Sequence, residues 1–268
     1  MADILLLGPV EVWQRGRRVA LGHARQRCVL AILAVEPNKL VLASKLIERV
    51  WGKLPPDGAH KTIQAYISRL RRAIGGTEGI ALGNRGGGYL FDIGDSQTDI
   101  RGFRSLVGAA REAAATGDDN GAAALFDKAL GMWRGDALAD LAGHWADGVR
   151  AQLAEERFAA LEGRLDADLN LGRHAWVVGE LTALVHAYPW RERLAGQLML
   201  ALYRDGRQSE ALRVYHVVRN RLADDGLDPG PALRQVELAI LRADAALRVH
   251  RAGEPGAPAD GVRFKIRL

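Results

Sequence analysis

Thr62-Ile63-Gln64-Ala65-Tyr66-Ile67-Ser68-Arg69-Leu70-Arg71-Arg72-Ala73-Ile74 is the stretch that decides the fold of this chain. Ile63, Ile67, Leu70 and Ile74 stand at i, i+4, i+7 and i+11. At ~100° per residue that spacing is a narrow arc, so a helix from about Gly58 to Ile74 is predicted to bury it. The opposite side carries Lys61, Ala65, Ser68, Arg69 and Arg72, with Gln64 and Arg71 on one flank and Thr62 and Tyr66 on the other. No acidic residue lies between Asp57 and Glu78. An ordinary solvated helix face mixes both signs, because opposite charges at i,i+4 stabilise it. A carboxylate-free face of Arg, Lys, Gln and hydroxyls instead suits the major groove of DNA. There Arg pairs with guanine O6/N7, Gln with adenine, and hydroxyls and Lys with phosphate. Lys61, Thr62, Gln64, Ser68, Arg69, Arg71 and Arg72 are the expected DNA-binding residues of this helix, and the small Ala65 allows close backbone approach.

The flanking segments fit the same reading. Ile4–Leu7, Val10–Trp13 and Val19–Leu21 read as short strands, punctuated by Gly8-Pro9 and Gly16. A first helix is expected from about Ala24 to Val35, ended by Pro37. A second can be capped by Ser44, has an apolar face of Leu46, Ile47 and Val50, and stops at Gly52 before Pro55-Pro56. Gly75-Gly76 closes the third. Ile80–Leu82 and Tyr89–Phe91 then form a hairpin around Gly83-Asn84-Arg85-Gly86-Gly87-Gly88. Strands, three helices and a hairpin, in that order, make a winged helix-turn-helix. Arg85, among small residues at the tip, is placed to enter a narrow minor groove. A phosphate-cradling glycine loop is the rival for this turn, but no Lys-Ser/Thr follows the glycines and the loop joins strand to strand.

Charge separates this region from the rest. Residues 1–94 carry 14 Lys and Arg against 7 Asp and Glu, whereas residues 95–268 carry 23 against 25. A basic module joined to a nearly neutral one points to a polyanion partner for the first. Single Cys28 allows no internal disulfide, and it reads as a small buried apolar residue in a reducing compartment. No apolar run approaches the ~18–20 residues that span a bilayer. The expected location is therefore cytoplasmic, on the nucleoid. The usual catalytic signatures (P-loop, His-Glu-x-x-His, Gly-x-Ser-x-Gly) do not occur, and the seven His are scattered. Neither an enzyme nor a metal or cofactor site is expected. A protein–protein adaptor is the rival class.

From Thr98 to Leu247 the chain reads as helical. Gly172 and Gly206 are 34 residues apart, each followed by Arg. Apolar residues recur 6, 9, 12 and 16 positions after each: Val178, Leu181, Leu184 and Tyr188, then Leu212, Tyr215, Val218 and Leu222. Gly117 begins a more divergent copy with Ala123, Phe126, Ala129 and Trp133. A period of 34 is that of tetratricopeptide helical hairpins. Trp145, Val149, Leu153, Phe158, Leu161, Leu165 and Leu169 mark a long amphipathic helix between them. The expected fold is mainly α: an N-terminal α+β winged helix-turn-helix domain over 1–94, an all-α tetratricopeptide-like domain over 95–250, and a flexible tail or linker over 251–268 that ends in Val262–Leu268.

The third helix together with Asn84-Arg85-Gly86-Gly87-Gly88-Tyr89 resembles the DNA-binding domain of OmpR/PhoB-type regulators. Asp99, Phe103, Leu130-Gly131-Met132-Trp133-Arg134-Gly135-Asp136-Ala137-Leu138 and Tyr188-Pro189-Trp190-Arg191-Glu192-Arg193-Leu194 resemble the bacterial transcriptional activation domain. The two in this order resemble the SARP family of actinobacterial antibiotic-pathway regulators (AfsR/DnrI type), over about residues 3–247. The resemblance implies a transcriptional activator of biosynthetic genes that binds direct repeats head-to-tail as a homodimer on DNA and recruits RNA polymerase holoenzyme. In OmpR-type regulators the turn before the reading helix meets polymerase, which implies that role for Lys53, Pro55 and Asp57. Those regulators begin with a phosphorylatable receiver domain, which this sequence does not contain, so an aspartyl-phosphate switch is not expected.

Overall fold

A computed structural model describes residues 2–75, 80–94 and 98–247. The expected tail, with Val262–Leu268, lies outside the described residues, as does Gly76. The fold is mainly helical, with two small sheets near the N-terminus. By packing, the chain falls into two compact units, Met1–Ala109 with Leu125–Ala160, and Ala110–Ala124 with Leu161–Leu268. No helix among the described residues is long and apolar enough to cross a membrane.

The first unit opens with β1 (Ala2–Leu5), β2 (Glu11–Gln14) and β3 (Arg17–Arg18), an antiparallel meander in that order. The third strand is shorter and earlier than Val19–Leu21: the turn closes on Arg15-Gly16, so pairing starts at Arg17, and Val19 adds only an N–H to the Val12 carbonyl at 2.8 Å. Helix α1 (Ala24–Val35) is buried almost without a break from Cys28 to Ala34, as befits the central helix of a small core. Strand β4 (Leu40–Leu42) follows and runs straight into α2 (Ala43–Trp51).

This arrangement changes the expected cap. Ser44 is already inside α2, and the N-terminal position is Leu42, which has no side-chain acceptor. The Ala43 N–H instead donates to the Gly87 carbonyl at 3.1 Å, so the hairpin satisfies a group that a cap would otherwise serve. That hairpin is β5 (Ala81–Arg85) and β6 (Gly88–Asp92), and β4 pairs with β6 to give the sheet order β4-β6-β5. The strands approach so closely that a Cβ on Gly88 would lie 2.5 Å from the Val41 oxygen. Helix α3 (Ala59–Ile74) starts after Gly58 at φ +77° and packs on α1, α2 and β5. Helices α4 (Asp99–Thr116), α5 (Asp119–Leu130) and α6 (His144–Asn170) follow, and the borders between the compact units fall within them.

The second unit contains α7 (His174–Ala187), α8 (Glu192–Arg204), α9 (Gln208–Asp224) and α10 (Pro231–Leu241). Residues Leu194–Leu202 of α8 are all buried, and α8 packs on α7, α9 and α10. Gly172 and Gly206 stand at φ +75° and +78° in the turns before α7 and α9, where a side chain would be strained. Their 34-residue spacing therefore records two similar turns. Leu181, Tyr215, Val218 and Leu222 are core, whereas Tyr188 is 41% exposed and departs from the repeat. Arg204 is buried and donates to the carbonyls of Leu169 and Leu247 at 2.7 Å each, tying the end of α6 to the chain beyond α10. Burial lowers its pKa to about 10.

Candidate nucleic-acid interface

Helix α3 buries Ile63, Ile67, Leu70 and Ile74, the arc expected from their spacing, together with Ala59. Tyr66 departs from the expectation of an outward flank: it is only 8% exposed. Its ring meets His23 edge-on at 4.9 Å and stacks near Trp51 at 6.4 Å. A large ring at the border of a helix face fills the gap beside it, here between the start of α1 and the end of α2. This contact sets the roll of α3 and so which side chains face away from the core.

Those side chains are Lys61, Gln64, Ala65, Ser68, Arg69, Arg71 and Arg72, all exposed. Thr62 is half-buried, and its hydroxyl donates back to the Gly58 carbonyl at 3.3 Å. Lys61, Arg69 and Arg72 make no ion pair among the described residues. Arg71 is different. Its Nε donates to the Leu82 carbonyl of β5 at 2.6 Å, so it fastens the helix to the hairpin while its remaining N–H groups stay exposed. Arg85 ends β5, paired in register with Gly88, and is exposed beside Gly86 and Gly87 at φ +51° and +79°. The hairpin thus presents a guanidinium at its end with no apolar side chain competing for space. The positions of Lys61, Gln64, Ser68, Arg69, Arg72 and Arg85 are compatible with one helix and one wing facing a polyanion.

Lys53, Leu54, Pro55, Pro56 and Asp57, in the turn between α2 and α3, are all exposed, and neither Lys53 nor Asp57 is paired among the described residues. Leu54 is 88% exposed, the most exposed large apolar side chain described. It escaped the sequence reading because one leucine between a lysine and two prolines has no periodicity.

Comparison with known proteins bears on these surfaces. The bacterial transcriptional activator domain matches residues 98–241, and the C-terminal domain of transcriptional regulatory proteins matches residues 16–91. Regulatory protein DnrI of Streptomyces peucetius is 36% identical over 91% of this chain and 94% of its own length. The chain belongs to the SARP family of transcriptional regulators. Regulatory protein AfsR of Streptomyces coelicolor is 42% identical over 90% of this chain, which spans about a quarter (24%) of AfsR. Among solved structures, Mycobacterium tuberculosis EmbR, determined with a low-affinity phosphopeptide, superposes with a TM-score of 0.87 at 38% identity. That match covers 90% of this chain and 65% of the EmbR chain.

In this SARP protein the activator-domain motifs have structural explanations. Asp99, at the start of α4, is buried and accepts the N–H groups of Leu6 (2.7 Å) and Leu7 (2.8 Å). Burial raises its pKa above the ordinary carboxylate value, although these N–H groups and Arg134 pull the other way. The Leu130–Leu138 motif runs beside the same segment, with Arg134 N–H on Leu7 O at 2.8 Å and Leu138 N–H on Leu6 O at 3.0 Å. Gly8 leaves room there, since its Cβ would lie 3.0 Å from that of Arg134. Trp133 stands edge-on to Phe103 at 5.5 Å, with the Arg157 guanidinium 4.9 Å over its ring. In the second unit, Glu192 of the Tyr188–Leu194 motif accepts the Gly230 N–H at 2.7 Å, serving the N-terminus of α10.

Proposed function

We propose that this SARP protein activates transcription by binding direct-repeat promoter DNA, with α3 in the major groove and the β5–β6 wing in the adjacent minor groove. The outward face of α3 carries this reading. Its cations Lys61, Arg69 and Arg72 are exposed without carboxylate partners among the described residues, beside Gln64 and Ser68 and next to a wing that ends in Arg85. A face built for folding stability alone would gain from opposite charges one turn apart. Thr62 and Arg71 join the contact set through the hydroxyl and the free edge of the guanidinium. Two copies bind head-to-tail as a homodimer on DNA. RNA polymerase holoenzyme is recruited through Lys53, Pro55 and Asp57, with further contacts from the helical region. Residues 1–94 supply DNA binding and 95–250 activation, even though residues 99–109 and 125–160 pack with the former. The target genes are those of antibiotic or other secondary-metabolite biosynthesis, and the protein acts on the nucleoid without a cofactor or a catalysed reaction.

Footprinting and mobility shifts on promoters of the neighbouring gene cluster test this. Protection of two direct half-sites, about one turn or roughly 10–10.5 bp apart, is expected. Inserting five base pairs should abolish cooperativity while leaving single-site binding. Absence of salt-dependent DNA binding overturns the reading in favour of an adaptor.

A further inference from the structure

Beyond the last turn of α3, the β2–β3 hairpin builds a second cationic surface. Its turn is Arg15-Gly16, with φ of +49° and +73°. A two-residue turn with both φ positive normally uses Asn-Gly or Asp-Gly, because a side chain at the first position is strained. An arginine is held there instead, at the tip of the hairpin. Arg17 and Arg18 follow, and all three are exposed. Together with Gln14 and with Ala73 of α3, they line an open concavity of about 760 Å³ that no acidic side chain lines among the described residues.

Folding does not account for two of these arginines. Arg18 is held by Glu11 at 3.2 Å, and Glu11 also takes Arg134 and the indole N–H of Trp13. Arg15 and Arg17 have no hydrogen bond or ion pair among the described residues. They do not cap the carbonyls at the C-terminal end of α3, which is the ordinary reason for cations to gather at such an end. Ala73 belongs to the cavity wall and adjoins Arg72 on the helix, so the hairpin continues the basic surface past the point where α3 ends.

We propose that Arg15 and Arg17 form a second DNA clamp, which holds backbone phosphates beyond the C-terminal end of α3 and widens the footprint of each copy. The ligand class is double-stranded DNA backbone, without base preference. This inference rests on the DNA-binding reading of α3. Contacts to backbone phosphate carry no sequence information directly, so Arg15 and Arg17 add affinity and salt dependence but not specificity.

The test uses the full chain and a duplex with one half-site, so that contacts between copies play no part. The variants are R15A/R17A and R15K/R17K, at positions too exposed to shift the thermal midpoint. For R15A/R17A the slope of log affinity against log salt should become shallower by about 1.8, from ~0.9 per phosphate contact. Affinity should fall equally on operator and random DNA, and R15K/R17K should restore most of the slope. An unchanged slope, with wild-type binding intact, overturns the clamp and leaves the α3 reading standing. On a tandem-site duplex measured in parallel, loss of cooperative binding alone equally overturns the clamp and makes the hairpin a contact to a second copy. If the wild-type chain shows no salt-dependent DNA binding at all, both readings fail together.

Discussion

The Arg27 guanidinium in α1 donates through Nε to Asp140, ten residues beyond the end of α5. The other oxygen of Asp140 accepts the Val10 N–H at 2.8 Å, and a second Arg27 nitrogen serves the Gly22 carbonyl at 2.6 Å. One carboxylate therefore joins the central helix of the winged domain, the loop after β1 and a segment of the activator domain. Both side chains are about three-quarters shielded from water, where losing one partner strands the other.

Asp140→Ala should accordingly destabilise the first unit by roughly 2 kcal/mol, typical for a charge-assisted pair left with one member. Urea unfolding followed by tryptophan fluorescence measures this. A loss of under about 0.5 kcal/mol, the size of an exposed pair, would show that the contact is not structural. For the same reason a chain cut near residue 95 should be much less stable than the whole: it removes Asp99 and Asp140, which hold Leu6, Leu7 and Val10.

Helix α3 was legible because its information is local: the buried arc follows from spacing, and the basic outward face from an absence of carboxylates. The same is true of α6 and of the turns at Gly172 and Gly206. What escaped was set by partners distant in sequence. Strand β4 is three residues with Leu40 and Leu42 half-exposed, and it exists because β6, almost fifty positions later, pairs with it. Ser44 looked like a cap because the Gly87 carbonyl that satisfies Ala43 is not visible in the local pattern. Tyr66 and Arg71 lie on flanks of α3 where a helical wheel is ambiguous, and contacts with Trp51 and Leu82 decide them. Arg15 and Arg17 stood in a turn, where polar residues are expected and carry no further signal.

Arg71 and Arg72, adjacent on α3, should behave differently. Arg72→Ala should cost ~1–3 kcal/mol on the operator and less on random DNA, with no change in stability. Arg71→Ala should lose DNA affinity and also lower the thermal midpoint, because it frees the Leu82 carbonyl. Lys61→Ala should weaken binding to both DNAs alike and flatten the salt slope by about one unit. Paired melting and binding measurements separate these cases, and equal loss on both DNAs for Arg72→Ala would remove its base-reading role.

Cys28 gives a pH dependence with a definite sign. Burial in α1 raises its pKa from 9.0 to about 11. Folding therefore favours the neutral thiol, a contribution fully present below pH 9 and lost as pH rises through 11. Its size is on the order of 3 kcal/mol. Cys28→Ala should flatten the alkaline limb of the stability profile relative to wild type. The native thiol should resist alkylation at pH 8 and react on unfolding. Rapid labelling of the folded protein would contradict the burial.

Activation should be separable from DNA binding at the turn before α3. Lys53, Leu54, Pro55 and Asp57 are exposed and lie outside the reading face of that helix. Replacing Lys53 and Asp57 by Ala should leave operator affinity within a few-fold while transcription by purified polymerase falls. Leu54 sharpens the expectation. At 88% exposure, directly before Pro55-Pro56, which restrict its backbone, it loses little by being covered and gains apolar burial against a partner. Leu54→Ala should therefore reduce transcription at unchanged DNA affinity and unchanged stability, and Leu54→Met should retain most activity. Transcription at the wild-type level in both the double variant and Leu54→Ala would exclude this turn as a polymerase contact. A transcription loss that merely tracks lost DNA affinity would place the defect in DNA binding.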